Sequence, residues 1–130
     1  MILNELTHSE LMVMKSVWDM GDEVSLSEIV EHVNAQFEKD WKPQTVSTFL
    51  TKLVKKNYLQ LERKGKSWVY RILISAEQYQ EYEMTGFFRF WGRGSVGRTL
   101  TALLREEEIE KDEIAKLRSL LDEMDDDTVL

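Results

Sequence analysis

The sequence predicts a mainly α-helical chain with one small β-hairpin, an α+β arrangement in which helices both precede and follow two strands. Three observations carry this expectation. Apolar residues recur at helical spacing up to Val54, alternate with polar ones near 59–63 and 68–72, and return to helical spacing after Ser75. The only proline, Pro43, opens a helical pattern, where its missing N–H leaves no bond unmade. Residues 41–71 hold eight basic and one acidic side chain, whereas 1–40 hold two and nine and 72–130 hold seven and fourteen. The net charge of −7 therefore conceals a basic segment between two acidic ones.

Thr7-His8-Ser9-Glu10 has the form of a capping box, in which Thr7 accepts from a backbone N–H and Glu10 reaches back. Leu11, Met14, Val17 and Trp18 follow at helical spacing and Gly21 is a stop signal, giving a first helix over about 9–20. Ser27 is placed to cap a second helix whose apolar face is Ile29, Val30, Val33 and Phe37, ending near Lys39-Asp40. The third helix begins at Pro43. Lys42, preceding it, is pushed toward an extended conformation and leaves a short turn between the two helices.

In the third helix Val46, Leu50, Leu53 and Val54, with Phe49, make the apolar stripe. The opposite face carries Gln44, Thr45, Ser47, Thr48, Thr51, Lys52 and Lys55. Three threonines and a serine cost helix propensity on an exposed face, and contact with bases and phosphates is the natural reason for them. Leu59–Arg63 and Trp68–Ile72 alternate as strands, and Lys64-Gly65-Lys66 joins them as a basic hairpin tip. Taken alone, a basic run is more often a solvated face. Beside a hydroxyl-rich helix it completes the helix-turn-helix plan with a wing, so residues 1–74 are expected to form a winged-helix DNA-binding domain.

Residues 75–130 are expected to form a helical dimerisation region with an acidic tail beginning at Asp125. Helices are predicted over Ala76–Trp91, from Ser95 or Val96 to Glu107, and over Lys111–Met124. Ile114, Leu117, Leu121 and Met124 form a narrow seam of the kind helices use to pair. Short helices interrupted by glycines do not readily enclose this seam and the aromatics of the first of them. The expected partner is the same segment of a second chain, the alternative being that they fold back on the winged-helix core of a monomer. Tyr82, Phe87, Phe88, Phe90, Trp91, Leu100, Leu103, Leu104, Ile114, Leu117, Leu121 and Met124 are the expected dimer interface. From Met84 to Arg105 there is no acid and there are four arginines, Arg89, Arg93, Arg98 and Arg105. They suit a joint whose arginines pair with acids across the dimer or, alternatively, an anionic effector site.

The absence of cysteine excludes disulfides, thiol catalysis and cysteine-based metal sites. No apolar run is long enough to span a bilayer, and residues 1–5 lack the features of a signal peptide, so a cytoplasmic protein is expected. His8 and His32 are isolated, Ser9, Ser25 and Ser27 read as caps, and no nucleophile–base pair or phosphate loop is present. Neither an enzyme, a metal nor a cofactor is expected.

The chain resembles the penicillinase-repressor family of bacteria, which includes the β-lactamase and methicillin-resistance repressors and the copper-responsive repressors. The resemblance rests on Glu10–Met14 through Trp18, on Ile29-Val30-Glu31, and most specifically on Trp41-Lys42-Pro43-Gln44-Thr45-Val46-Ser47-Thr48-Phe49-Leu50-Thr51-Lys52-Leu53. It continues through Lys55-Lys56-Asn57-Tyr58-Leu59, the wing and Asp112-Glu113-Ile114-Ala115-Lys116-Leu117. It implies a homodimeric repressor on a palindromic operator, one wing-helix unit to each half-site. Matching positions make Gln44, Thr45, Ser47 and Thr48 the base readers. Thr51, Lys52, Lys55, Lys64, Lys66 and Ser67 would hold phosphates, with Lys42 and Arg63 completing that set. A protein-interaction module using the basic face on an acidic partner is the alternative.

Departures from the family pattern are informative. The drug-resistance repressors have a basic residue at the Gln44 position and arginine at the Ser47 position, so their operator does not carry over to this chain. In those repressors a membrane sensor-protease pathway cuts an Asn–Phe bond in the dimerisation region. The aligned position here is Ala102-Leu103, which lacks that dipeptide. The copper branch carries a C-terminal cysteine cluster that this chain does not have.

Overall fold

The computed structural model describes residues 2–127 as six helices and one hairpin. Helix α1 spans His8–Met20, α2 Leu26–Phe37 and α3 Pro43–Lys55. Strands β1 (Leu59–Lys64) and β2 (Ser67–Ile72) follow, then α4 (Ala76–Trp91), α5 (Ser95–Glu106) and α6 (Lys111–Asp127). The mainly α architecture with a β wing is the one expected. Two compact units make up the chain, one through Thr85 and the other from Gly86 onward.

In the first unit each helix start has a local cause. At α1 the Thr7 hydroxyl accepts from the Glu10 N–H while the Glu10 carboxylate accepts from the Thr7 N–H, the reciprocal box read from the sequence. At α2 the cap is Ser25, boxed with Glu28, and not Ser27. Ser27 lies inside the first turn. Glu28 stands three residues after Ser25, the spacing a capping box needs, and no acid or amide stands three residues after Ser27. Helix α2 also stops at Phe37, earlier than expected, because Glu38 adopts the left-handed conformation at φ 53° and donates its N–H to the Asn34 carbonyl.

The turn into α3 is fastened by Asn34, whose side chain donates to the Trp41 carbonyl and accepts from the Trp41 N–H, both at 2.9 Å. Trp41 then packs its ring on Phe49. The hairpin is antiparallel, with Leu59 opposite Ile72, Arg63 opposite Trp68 and Lys64 opposite Ser67. Lys64 thus belongs to β1, and the turn itself is Gly65-Lys66, with Gly65 at φ 63° as a tight hairpin requires. Val24, between α1 and α2, bridges Tyr70 and gives β2 a short second neighbour that alternation in the sequence did not predict.

The core of this unit joins Met12, Val13, Met14 and Val17 of α1, Ile29 and Val33 of α2, and Val46, Leu50 and Leu53 of α3. Tyr58, Leu59 and Tyr70 close it from the hairpin side. Tyr79, from the first turn of α4, is also buried there, its ring on Trp18 and Tyr58. Tyr82, expected at the dimer interface, packs partly buried against this core. Its spacing from Tyr79 puts both on one face of α4. The start of α4 therefore belongs with the wing-helix unit. Burial pushes the Tyr58 hydroxyl up to about 12, and it donates to the Asn4 carbonyl.

In the second unit α5 is introduced by Gly92 and Gly94, both at positive φ, and the Ser95 hydroxyl donates to the Gly92 carbonyl. Helix α6 continues through the Asp125–Asp127 run instead of stopping at Met124. Residues 128–130, the end of the expected tail, lie outside the described residues.

Candidate nucleic-acid interface

Helix α3 buries Val46, Leu50 and Leu53 completely and turns Gln44, Thr45, Thr48, Thr51, Lys52 and Lys55 to the surface. Ser47 is half-buried. The structure thus brings the expected readers together on one exposed face, with Ser47 recessed. The threonine hydroxyls are already engaged: Thr48 Oγ1 donates to the Gln44 carbonyl and Thr51 Oγ1 to the Ser47 carbonyl, each at 3.0 Å. Their protons are committed, while each oxygen keeps acceptor capacity. Gln44 alone among the four expected base readers carries both an amide donor and an amide acceptor on its side chain.

The start of α3 differs from those of α1 and α2. It has no side-chain cap and no acid in its first turn, and Lys42 stands at the cap position. Its backbone N–H groups and the positive end of its dipole are left for an external anion. The sequence reading did not identify this feature, though the absence of Ser, Thr, Asp or Asn at position 42 was a visible signal of it.

The basic side chains do not all face outward as free charges. Lys56 turns inward, donating to Glu10 Oε1 and to the Glu5 carbonyl, both at 2.7 Å. Burial alone would raise the Glu10 carboxyl, but the hydrogen bonds from Lys56 and from Thr7 outweigh it and hold the group below the usual carboxylate range. Arg71 pairs with Glu62 at 3.3 Å and with Glu23 at 3.8 Å. Lys64, an expected phosphate contact, is in an ion pair with Glu23. Among the described residues, Lys42, Lys52, Lys55, Arg63 and Lys66 have no carboxylate partner. Arg63 lies over the exposed Trp68 ring, 5.3 Å from its centroid, and Ser67 is exposed at the wing tip. Sequence reasoning missed Glu23 and the Glu10–Lys56 pair because both link positions more than forty residues apart and follow no periodicity.

In the second unit, most of the expected interface residues are exposed on this single chain: Phe87, Phe90, Trp91, Leu100, Leu103, Leu104, Leu121 and Met124. Phe88, Ile114 and Leu117 are partly covered. Val96 and Leu120, not singled out from the sequence, are exposed as well. Phe87, Phe88, Phe90 and Trp91 form a run of edge and tilted ring contacts. Ala102 and Leu103, the aligned cleavage position, lie within α5. Arg89, Arg93, Arg98 and Arg105 are exposed.

Comparison with known proteins agrees with this fold. The family model described as penicillinase repressor matches residues 6–123. The chain is 30% identical over 118 residues to an uncharacterized 16.5 kDa protein in the ptsI 3' region of Latilactobacillus sakei, covering 91% of this chain and 79% of that protein. It is 27% identical over 117 residues to the methicillin resistance regulatory protein MecI of Staphylococcus aureus, covering 90% and 93%. Among solved structures it is similar to the monomeric form of Bacillus licheniformis BlaI in complex with the blaP half-operator. That match has a TM-score of 0.50 and 27% identity, and it covers 60% of this chain and 92% of the other. With a match over most of its length, the chain belongs to the penicillinase repressor family.

Proposed function

We propose that this chain is a homodimeric transcriptional repressor that binds a palindromic operator, with α3 in the major groove and the wing on the phosphate backbone. The observation that carries the reading is the exposed face of α3. Gln44, Thr45 and Thr48 sit beside Lys52 and Lys55, below an uncapped helix start with no acid in its first turn. Gln44, Thr45, Ser47 and Thr48 are the base contacts in this reading, and Lys42, Thr51, Lys52, Lys55, Arg63, Lys64, Lys66 and Ser67 hold phosphates. BlaI, which is similar in structure to 60% of this chain, is solved on a half-operator. Dimerisation through α4–α6 is supported by the apolar side chains this single chain leaves exposed.

Selection of bound fragments from the source genome tests the reading directly. A palindromic motif should emerge, and the log of its affinity should fall linearly with log salt. Failure to retain any DNA would overturn it. Sedimentation should give a dimer at micromolar concentration, and a monomer would remove the dimeric part.

A further inference from the structure

We infer that Glu23 is an internal competitor of the DNA backbone for the wing lysine Lys64, so that the wing's hold on phosphate is set by an acid of the α1–α2 loop as well as by its own basic residues. The inference rests on the DNA-binding reading above. Lys64 closes β1 at the edge of the hairpin tip, the place from which a wing reaches phosphate. Its ammonium is in contact with Glu23 Oε2.

The position of that carboxylate is built into the fold. The Glu23 N–H donates to the Tyr70 carbonyl at 3.1 Å, and Tyr70 donates back to the Val24 carbonyl at 2.9 Å. The neighbouring Asp22 accepts from the Ile72 N–H at 2.6 Å. Three bonds therefore pin this loop to β2. Glu23 itself sits at φ 62°, in the left-handed region that non-glycine residues rarely adopt, and its side chain is only about one-third exposed. Arg71, on the same face of the hairpin, approaches the second carboxylate oxygen at 3.8 Å. The carboxylate thus stands between two cations of the wing, as a phosphate would.

Two consequences follow from simple electrostatics. A phosphate approaching Lys64 must displace Glu23, and afterwards the carboxylate repels it. Removing the negative charge while keeping the side-chain shape should therefore tighten binding, and should do so through Lys64. The alternative role for Glu23 is support: the ion pair would hold the wing in position, and its loss would weaken DNA binding.

The test is a cycle on the full chain with Glu23→Gln, Lys64→Gln and the double variant, titrated against a short mixed-sequence duplex at low ionic strength. Thermal unfolding confirms that each variant is folded. Glu23→Gln should bind about two- to fivefold tighter than the wild type, the range an exposed ion pair supports. In the Lys64→Gln background the same change should have a much smaller effect. An equal gain in both backgrounds would overturn the inference, since it would reflect general charge alone. Unchanged or weaker binding by Glu23→Gln would overturn it in favour of support. A wild-type protein that binds no duplex at all would instead reject the DNA-binding reading, and this inference with it.

Discussion

Replacing Lys56 with methionine should expose how the end of α3 is anchored. Glu10 is almost completely buried, and its carboxylate has two strong donors, the Thr7 N–H and Lys56 Nζ, each at 2.7 Å. Lys56 also donates to the Glu5 carbonyl, while Asn4 donates to the Lys56 carbonyl at 3.0 Å. The end of α3, the start of α1 and the segment before it therefore meet at one ion pair. Removing one partner of a buried pair costs about 3–5 kcal/mol, because the other charge is left behind. Here the Lys56 side chain is 29% exposed and Glu10 keeps its Thr7 donor. About 2–3 kcal/mol is the reasonable expectation, given that one charged hydrogen bond is worth about 1.5–3 kcal/mol. For a unit of this size that corresponds to a fall in Tm of roughly 10–20 °C.

The pH dependence separates this cause from a general loss of packing. In the wild type the Glu10 carboxyl is held below its reference value of 4.5. Its contribution is therefore present above that value and is lost as pH falls through the lower folded-state value. Without Lys56, burial is opposed only by Thr7. The carboxyl then rises, and protonation relieves the variant as pH falls. The deficit of Lys56→Met relative to wild type should be largest near neutral pH and should narrow toward pH 4 as the wild type loses what the variant regains. Thermal unfolding followed by circular dichroism across this range measures it. Adding Glu10→Gln to Lys56→Met should recover part of the loss. A deficit below about 1 kcal/mol at neutral pH, or one independent of pH, would refute the reasoning.

Leu50 has no exposed surface, and Leu50→Ala should destabilise the wing-helix unit by about 2–5 kcal/mol in a denaturant titration. Ser25→Ala should cost about 1 kcal/mol through loss of the α2 cap, whereas Ser27→Ala, within the first turn, should cost far less in the same assay. Thr48→Ala should reduce discrimination between the selected operator and a single-base variant by about 1–3 kcal/mol, measured by competition binding. Lys52→Gln should instead weaken binding to all sequences alike and make the log–log salt slope shallower by about 0.9 per subunit.

The elements were legible in the sequence where one local rule governs them. The capping box at Thr7–Glu10, Pro43 at the start of α3 and the alternation around Gly65 each act over a few residues, and each produced the expected element. The α2 cap was misplaced because two serines, Ser25 and Ser27, compete by type, and only the spacing to Glu28 separates them. The end of α2 was overrun because Glu38 ends it in a conformation that glycine and asparagine usually signal. Tyr82 could not be divided from the later aromatics by composition. What divides them is position along α4: Tyr79 and Tyr82 lie before Thr85, where the core of the first unit covers them, while Phe87, Phe90 and Trp91 lie beyond it and remain exposed.

The candidate site illustrates a different limit. The sequence reads the charge of residues 41–71 as a sum, but an approaching phosphate finds some of these cations free and must compete with a carboxylate for the others. Lys56, Lys64 and Arg71 are engaged by Glu10, Glu23 and Glu62, two of which lie outside the basic segment. The engagements also differ in kind. Lys56 is turned inward and fixes the end of α3, so its charge acts through the geometry of the helix. Lys64 keeps most of its side chain at the surface, and its partner can be exchanged. Arg71 lies between two carboxylates on the hairpin and holds the wing to the α1–α2 loop. A basic residue in this segment thus braces α3, braces the hairpin, or stays free of a carboxylate and, in the proposed reading, is available to phosphate. Which task it has depends on acids that only the fold brings near.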